Sequence, residues 1–186
     1  VLKVHAPELG PLKAEQVHGV MGMTMDEISK VIFPGYEEKN RRKLFRMCET
    51  HEVDRLSKTG GTLFPYVRET LDMLLAAGYK MAVVSNCQKG YIDAFFTSMD
   101  MGRYFCDMEE WGRTLKPKSE NIKLVMERAG TDKAIYIGDT KTDEAAAHAA
   151  GIPFVHAAYG FGSADNPAAV LTCFSGLPKI IRQFEE

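Results

Sequence analysis

The sequence lacks the features that mark membrane, zinc-binding and disulfide-rich proteins. No apolar run approaches the roughly 20 residues of a membrane-spanning helix. Cysteine is scarce, and its four residues, Cys48, Cys87, Cys106 and Cys173, lie far apart without a CxxC pair. That spacing argues against a zinc knuckle and against a disulfide framework. We therefore expect a cytoplasmic protein in a reducing compartment, without a membrane partner.

An excess of positive charge is also missing. Lys and Arg number 23 against 25 Asp and Glu, which gives a formal net charge of -2. A nucleic-acid partner is not expected, since such proteins usually carry a basic excess. The basic cluster Arg41–Lys43 with Arg46 lies among acidic residues and is interpreted as a solvated helix face. The five histidines show no HExxH spacing, so a zinc site is not expected.

The composition is that of a globular protein, and the first third of the chain has helical patterns. The 186 residues are 45% hydrophobic and 26% charged, enough for one core or for a core with a small accessory domain. Thr24 and Glu27 form a predicted capping box at a helix start. A charged helix is predicted over residues 36–58, and Gly60 follows it. We predict a small helical domain at residues 1–62.

After Pro65 the pattern changes to helices alternating with short apolar strands. The predicted strands are MAVVS (81–85), AIYIG (134–138) and PFVHA (153–157), with YFCDM (104–108) as a weaker candidate. Strands separated by helices predict parallel βαβ units, with helices on both faces of the sheet. We predict that residues 63–186 form an α/β core with a Rossmann-like parallel sheet.

Polar residues follow these strands at the end where parallel α/β sheets bind ligands. Ser85 ends the first strand and Asn86 follows it, Asp107 is next to last in the weaker candidate, and Asp139 follows AIYIG. Two lysines, Lys116 and Lys118, lie on the loop before the helix that leads into AIYIG. We expect these groups to form one site.

Asp139 and Asp143 are candidate ligands of a divalent cation. Mg²⁺ prefers oxygen ligands, usually one or two carboxylates with water and substrate phosphate. The alternative interpretation, given even weight, is that Asp143 is an acid favoured by the helix dipole and Asp139 is the helix N-cap.

Ser85 with Asn86, and either lysine, are candidate phosphate ligands. A hydroxyl with the amides that follow it can bind phosphate, and an ammonium can neutralise a phosphoryl oxygen. Taken singly, each has a more ordinary explanation: a strand-to-turn transition for Ser85 and Asn86, and a solvated loop lysine for Lys116 or Lys118. Their order along the chain is what favours a joint site.

Three motifs in this order, VVSN, LKPKSEN and IGDTKTDEA, resemble those of the haloacid dehalogenase superfamily of phosphotransferases. The phosphoglycolate phosphatase and β-phosphoglucomutase-like branch is most similar. The resemblance implies a helical cap at the start of the chain. It also implies that Ser85 and Asn86 hold the phosphoryl group, that Lys116 or Lys118 is the active-site lysine, and that Asp139 binds Mg²⁺ with the support of Asp143.

One part of the family pattern is missing from the sequence. Members begin with an apolar strand ending in DxDGT, which carries the nucleophile, and GGTLF (60–64) lacks both aspartates. We expect roughly 15 to 25 further residues upstream of Val1, too few for another domain. Without that strand, we expect a slot in the sheet.

The resemblance implies a Mg²⁺-dependent phosphatase of a small phosphorylated metabolite, acting through an aspartyl-phosphate. One alternative is a sugar-phosphate mutase. The other is a non-catalytic phosphate-binding protein, if the first motif is truly absent. The sequence leaves the natural substrate and the oligomeric state open.

Overall fold

The computed structural model describes residues 1–185, and it contains both helices and strands. The α-helices are α1 (Leu2–His5), α2 (Ala14–His18), α3 (Met25–Ile32), α4 (Glu38–Thr59), α5 (Val67–Ala76), α6 (Tyr91–Ser98), α7 (Trp111–Thr114), α8 (Lys118–Ala129), α9 (Lys141–Ala150) and α10 (Leu177–Ile181). The strands are β1 (Ala82–Ser85), β2 (Asp107–Glu110), β3 (Tyr136–Gly138), β4 (Phe154–Ala157) and β5 (Ala169–Leu171). Short 3₁₀ helices lie at Pro7–Leu9, Gly102–Tyr104, Phe174–Gly176 and Arg182–Phe184.

The first 60 residues are helical, as the sequence predicted. The capping box forms: the Glu27 amide donates to Thr24 Oγ1 at 3.4 Å, and the Thr24 amide donates to Glu27 Oε2 at 2.8 Å. Ala6, Phe33 and Leu44 are the buried residues of a small apolar cluster in this part of the chain. The boundary of a separate helical domain at residue 62 stays a prediction.

The prediction of a parallel α/β core is confirmed. β1 pairs in parallel with β2, and β4 pairs in parallel with β3 and with β5. Adjacent residues of β4 point to opposite faces, as they must in a strand. Phe154 packs in a cluster with residues of α8 and α9, whereas Val155 packs with residues of α5 and α10. Helices therefore cover both faces.

The strands lie in two sheets, one of two strands and one of three. Among residues 1–185, β1, β2, β3 and β5 each pair on one side only, so the open strand edges include those of β1 and β3. The Tyr136 hydroxyl reaches from β3 to the Val84 carbonyl at 2.8 Å. Burial above all raises the pKa of Tyr136 well above its usual value, so the hydroxyl keeps its proton for this bond.

The weaker strand candidate was wrong in its position. The predicted strand ended just after Asp107, but in the structure Asp107 begins β2 and Glu110 ends it. Tyr104 is instead buried in a 3₁₀ turn. The charged strand is possible because Arg128 Nε donates to Asp107 Oδ2 at 2.7 Å and its Nη1 to Glu109 Oε2 at 2.9 Å. Asp107 therefore does not lie at the end of the strand where ligands are expected.

The last part of the chain adds elements that the sequence did not predict, namely β5 and α10. Leu171, Leu177 and Ile180 from this part are buried in the same cluster as Leu74 and Val155. In the 185 residues that the structure describes, no helix combines the length and the apolar character needed to cross a membrane.

Candidate active site

The candidate site is built around an ion pair between the starts of two helices. Lys118, the first residue of α8, donates to Asp143 Oδ1 at 2.5 Å, and the two side chains are only 9% and 7% exposed. The second oxygen, Oδ2, accepts from the Thr140 hydroxyl at 2.7 Å, from the Thr140 amide at 3.1 Å and from the Asp139 amide at 3.3 Å. Each oxygen of this buried carboxylate therefore has a donor.

The ionisation of Asp143 follows from these contacts. Burial by itself raises the pKa of the carboxyl, but the Lys118 ammonium and the hydrogen bonds from Thr140 outweigh it, so the pKa is lowered. Asp143 is thus charged at neutral pH although it is buried. Thr140 and Asp143 together form the capping box of α9. Asp143 therefore does have the helix-start role of the alternative interpretation, but the N-cap is Thr140 and not Asp139.

Asp139 lies at the end of β3 and is enclosed by the glycine loop, Tyr159–Gly162. The Phe161 amide donates to Asp139 Oδ2 at 2.7 Å. A Cβ atom added to Gly160 would lie 2.3 Å from the Asp139 Cβ, so only glycine fits there without a shift. By its sequence alone, YGFG (159–162) is explained by an ordinary turn after a strand. No signal in one sequence connects it to Asp139.

Ser85 and Asn86 lie at the end of β1, and Asn86 is connected to the α9 side of the site. Asn86 Nδ2 donates to the Gly22 carbonyl at 2.9 Å, and the Thr142 hydroxyl donates to the same oxygen at 3.1 Å. Ser85 Oγ accepts from the Cys87 amide at 3.3 Å. The loop after β1 and the start of α9 thus meet at one backbone oxygen from the helical part of the chain.

The two candidate lysines are in different positions. Lys118 is paired with Asp143, whereas Lys116 is exposed in the preceding loop. In the described part of the chain the Lys116 ammonium makes no ion pair or hydrogen bond; the Lys116 amide donates to Thr114 Oγ1 at 3.1 Å. The geometry therefore brings Lys118, and not Lys116, next to the aspartates.

The aspartate pair provides carboxylate oxygens of the kind that Mg²⁺ prefers. No cluster of three or more His, Cys, Asp or Glu side chains suited to a metal occurs within residues 1–185. A Mg²⁺ ion does not need one, because it commonly takes one or two carboxylates and completes its shell with water and phosphate. Both Asp143 oxygens already accept protein donors. The donor set therefore fits an ion held mainly by Asp139, with Asp143 acting through water or by exchange of its partners.

A cleft of about 890 Å³ lies between the helical part and the α/β part. Residues of α3 and α4, including Asp26, Phe45 and Arg46, line one side, and Lys89 and Trp111 are on the other. Gln88 Nε2 donates to Glu52 Oε2 at 3.0 Å across the same junction. None of the candidate site residues Ser85, Asn86, Lys118, Asp139 and Asp143 lines this cleft, which meets the loop after β1 at Gln88 and Lys89.

Comparison with known proteins gives one family. A model described as "Haloacid dehalogenase-like hydrolase" matches residues 2–157. A protein named phosphoglycolate phosphatase from Photorhabdus laumondii is 33% identical over 153 residues, which cover 75% of this chain and 62% of that protein. One of the same name from Salmonella typhimurium is 32% identical over 124 residues, covering 64% of this chain and 48% of that protein. The chain thus spans about half the length of the curated relatives it matches.

Solved structures share the fold at lower identity. A crystal structure described as a predicted phosphoglycolate phosphatase from Haemophilus somnus superposes with a TM-score of 0.82 at 22% identity, covering 97% of this chain and 88% of that one. A haloacid dehalogenase-like hydrolase from Streptococcus pneumoniae gives a TM-score of 0.81 at 16% identity, with coverages of 97% and 88%.

Proposed function

Because this chain belongs to the haloacid dehalogenase-like hydrolase family, we propose that it is a Mg²⁺-dependent phosphatase of a small phosphorylated metabolite. The observation that carries the proposal is the buried Lys118–Asp143 pair beside Asp139. Burying a lysine–aspartate pair carries a large desolvation cost, and such groups concentrate at functional sites.

Each residue of the site has a role in this proposal. Ser85 and Asn86 bind the phosphoryl group, and Lys118 neutralises one of its oxygens. Asp139 holds Mg²⁺, and Asp143 supports the ion and orients Lys118. When bound, the ion supplies charge stabilisation to the phosphoryl oxygens, where phosphoryl transfer needs it. Lys116 takes no part in this arrangement.

The proposed reaction needs a carboxylate nucleophile that forms an aspartyl-phosphate, which water then hydrolyses. We propose that it lies on a strand upstream of Val1, at the carboxyl end of a position between β1 and β3. The open edges of β1 and β3 support this proposal, because the backbone groups of a strand inside a sheet require partners.

The curated relatives named phosphoglycolate phosphatase support a small phosphorylated metabolite as substrate. The cleft of about 890 Å³ borders the loop after β1 through Gln88 and Lys89. We propose that residues 1–62 form a cap over it and help to exclude water during the first step. Free cysteines at positions 48, 87, 106 and 173 are in keeping with a reducing compartment such as the cytoplasm.

Hydrolysis of p-nitrophenyl phosphate by the whole protein, with and without Mg²⁺, tests the proposal. We expect phosphate release only with Mg²⁺, and a loss of at least about 100-fold in Asp139→Asn. The matched control is Asp132→Asn, which changes an exposed aspartate before β3 and leaves the rate unchanged. Turnover without metal, or an active Asp139→Asn variant, would exclude this assignment. Isomerisation of a sugar phosphate without net phosphate release would indicate a mutase.

A further inference from the structure

Glu110 is a completely buried carboxylate that the site described above does not use. It is the last residue of β2 and is 0% exposed. Its partner in the strand register on β1 is Ser85. A buried charge of this kind is tolerated only where protein donors replace water. The donors of Glu110 therefore show which segments of the chain this carboxylate holds in place.

Two of these donors come from the loop that follows β1 and from the start of α6. The Gly90 amide donates to Glu110 Oε1 at 2.7 Å, and the Ile92 amide donates to Oε2 at 3.4 Å. Arg113 Nε donates to Oε1 at 3.2 Å and supplies the compensating charge. Glu110 thus binds the N-terminal end of α6, which favours a negative charge. It joins β2 to the segment that leads away from Ser85 and Asn86.

A fourth donor lies inside the loop itself. The Cys87 thiol approaches Glu110 Oε2 at 3.6 Å. Burial is the main reason that the pKa of Cys87 rises to about 12, so the thiol keeps its proton and can donate. The amide of the same residue donates to Ser85 Oγ at 3.3 Å. Cys87 therefore connects Glu110 directly to the serine of the site.

Gly112, two positions after Glu110, packs against the same loop. The Gly112 amide donates to the Cys87 carbonyl at 3.0 Å. A Cβ atom added at Gly112 would lie 2.0 Å from the Lys89 nitrogen, which is backbone and cannot move without changing the loop. The end of β2 and the turn after it therefore hold residues 85–90, here called the phosphate loop, by hydrogen bonds and by shape.

We propose that Glu110 is a positioning residue, which fixes the conformation of the phosphate loop so that Ser85 and Asn86 bind a phosphoryl group. The inference rests on the proposed function of Ser85 and Asn86. Glu110 acts through the amides and the thiol that it binds and does not itself touch the substrate. Its removal is expected to weaken the binding of phosphate itself.

The neighbouring Glu109 offers a matched control. It is also buried, at 5% exposure, and is also paired with an arginine, Arg128, at 2.9 Å. Its side chain contacts α8 and not the phosphate loop. Glu109→Gln and Glu110→Gln thus each remove one buried charge next to an arginine. A merely structural role for both residues predicts the same effect on stability and on phosphate binding.

Calorimetric titration of the whole protein with inorganic phosphate in the presence of Mg²⁺ tests the proposal. We expect Glu110→Gln to bind phosphate about tenfold more weakly than wild type, and Glu109→Gln to stay within about twofold. Hydrogen exchange is expected to quicken at the amides of residues 90 and 92 in Glu110→Gln alone. Thermal unfolding of the two variants shows whether their losses of stability are comparable.

The outcomes separate this inference from the proposed function. If wild type does not bind inorganic phosphate, both proposals are overturned. If wild type binds phosphate and Glu110→Gln binds it as tightly as Glu109→Gln does, only the role of Glu110 is overturned. Should Glu110→Gln fail to fold, Gly112→Ala displaces the loop with the carboxylate intact. Weaker binding of phosphate by Gly112→Ala supports the inference, and unchanged binding overturns it.

Discussion

Two lysine–aspartate pairs in this molecule have similar geometry and opposite surroundings. On α4, Lys58 and Asp54 lie 2.8 Å apart with side chains 69% and 52% exposed. Between the starts of α8 and α9, Lys118 and Asp143 lie 2.5 Å apart with side chains 9% and 7% exposed. The first pair joins adjacent turns of one helix, while the second joins two helices. The difference shows that the exposed pair supports only its own helix, whereas the buried pair is held in place by the fold.

The most severe test of this difference removes one buried charge. Asp143→Asn leaves the Lys118 ammonium buried without its counter-charge, and we expect a loss of about 3 to 5 kcal/mol in the free energy of unfolding. The matched variant Asp54→Asn is expected to lose no more than about 0.5 kcal/mol. Urea unfolding followed by circular dichroism measures both. Equal losses would mean that burial does not distinguish the pairs.

The two candidate lysines sharpen the comparison at the level of activity. Lys118→Met is expected to slow phosphate-ester hydrolysis by about 100- to 1000-fold, because it removes a fixed positive charge beside the reacting group. Lys116→Met changes an exposed lysine in the preceding loop and is expected to change the rate by less than about twofold. The kcat of each variant is the quantity to compare. A large loss in Lys116→Met instead would reverse the assignment.

The packing around Asp139 provides a smaller effect. Gly160→Ala places a Cβ atom 2.3 Å from the Asp139 Cβ. We expect it to destabilise the protein by about 1 to 3 kcal/mol, because the glycine loop must shift. Gly35→Ala, in the turn after α3, meets no atom within 4 Å and is the control. Thermal unfolding distinguishes them, and a neutral Gly160→Ala would show that the loop moves freely.

Acid should weaken the contribution of the buried pair. The folded-state pKa of Asp143 is lowered, so its contribution to stability is complete above the unfolded value of about 3.9 and is lost as the pH falls through the folded value. The slope of unfolding free energy against pH below about pH 4 should therefore be shallower in Asp143→Asn than in wild type. Unfolding in urea at several acidic pH values measures it. Identical slopes would contradict the lowered pKa.

The smallest expected effect lies on α4. Lys58→Ala removes an exposed ion pair between adjacent helical turns, and we expect a change of about 0.3 to 0.5 kcal/mol, which salt should reduce. Urea unfolding at low and high ionic strength provides the measurement. A change above about 1 kcal/mol would show that α4 depends on its charges more than their exposure indicates.

The sequence predicts elements well wherever apolar spacing defines them. The capping box at Thr24, the long helix α4 and the strands β1, β3 and β4 all follow from local patterns. The charged strand β2 does not, because its carboxylates are compensated by Arg128 in α8, 18 residues after the strand ends. The resemblance to the family depended on motifs, and the family match confirms it.

The candidate site is predictable in its residue types but not in its contacts. Lys118, and not Lys116, begins α8 and pairs with Asp143. Sequence spacing alone does not show in which direction either lysine side chain points. The hydrogen bond from Phe161 to Asp139 joins residues 22 positions apart through a backbone amide. Backbone groups are the same in every residue, so no sequence pattern marks this contact.

The Gly22 carbonyl oxygen, which accepts from both Asn86 and Thr142, has a mechanical consequence. Any displacement of that segment must release both donors together, so the loop after β1 and the start of α9 become free at the same moment. The acceptor belongs to the main chain and is present in any residue, but a Cβ atom at position 22 would lie 2.4 Å from the Thr142 hydroxyl and would push that donor away. The two hydrogen bonds can therefore be weakened through their donors or through a change in the path of the chain at that turn.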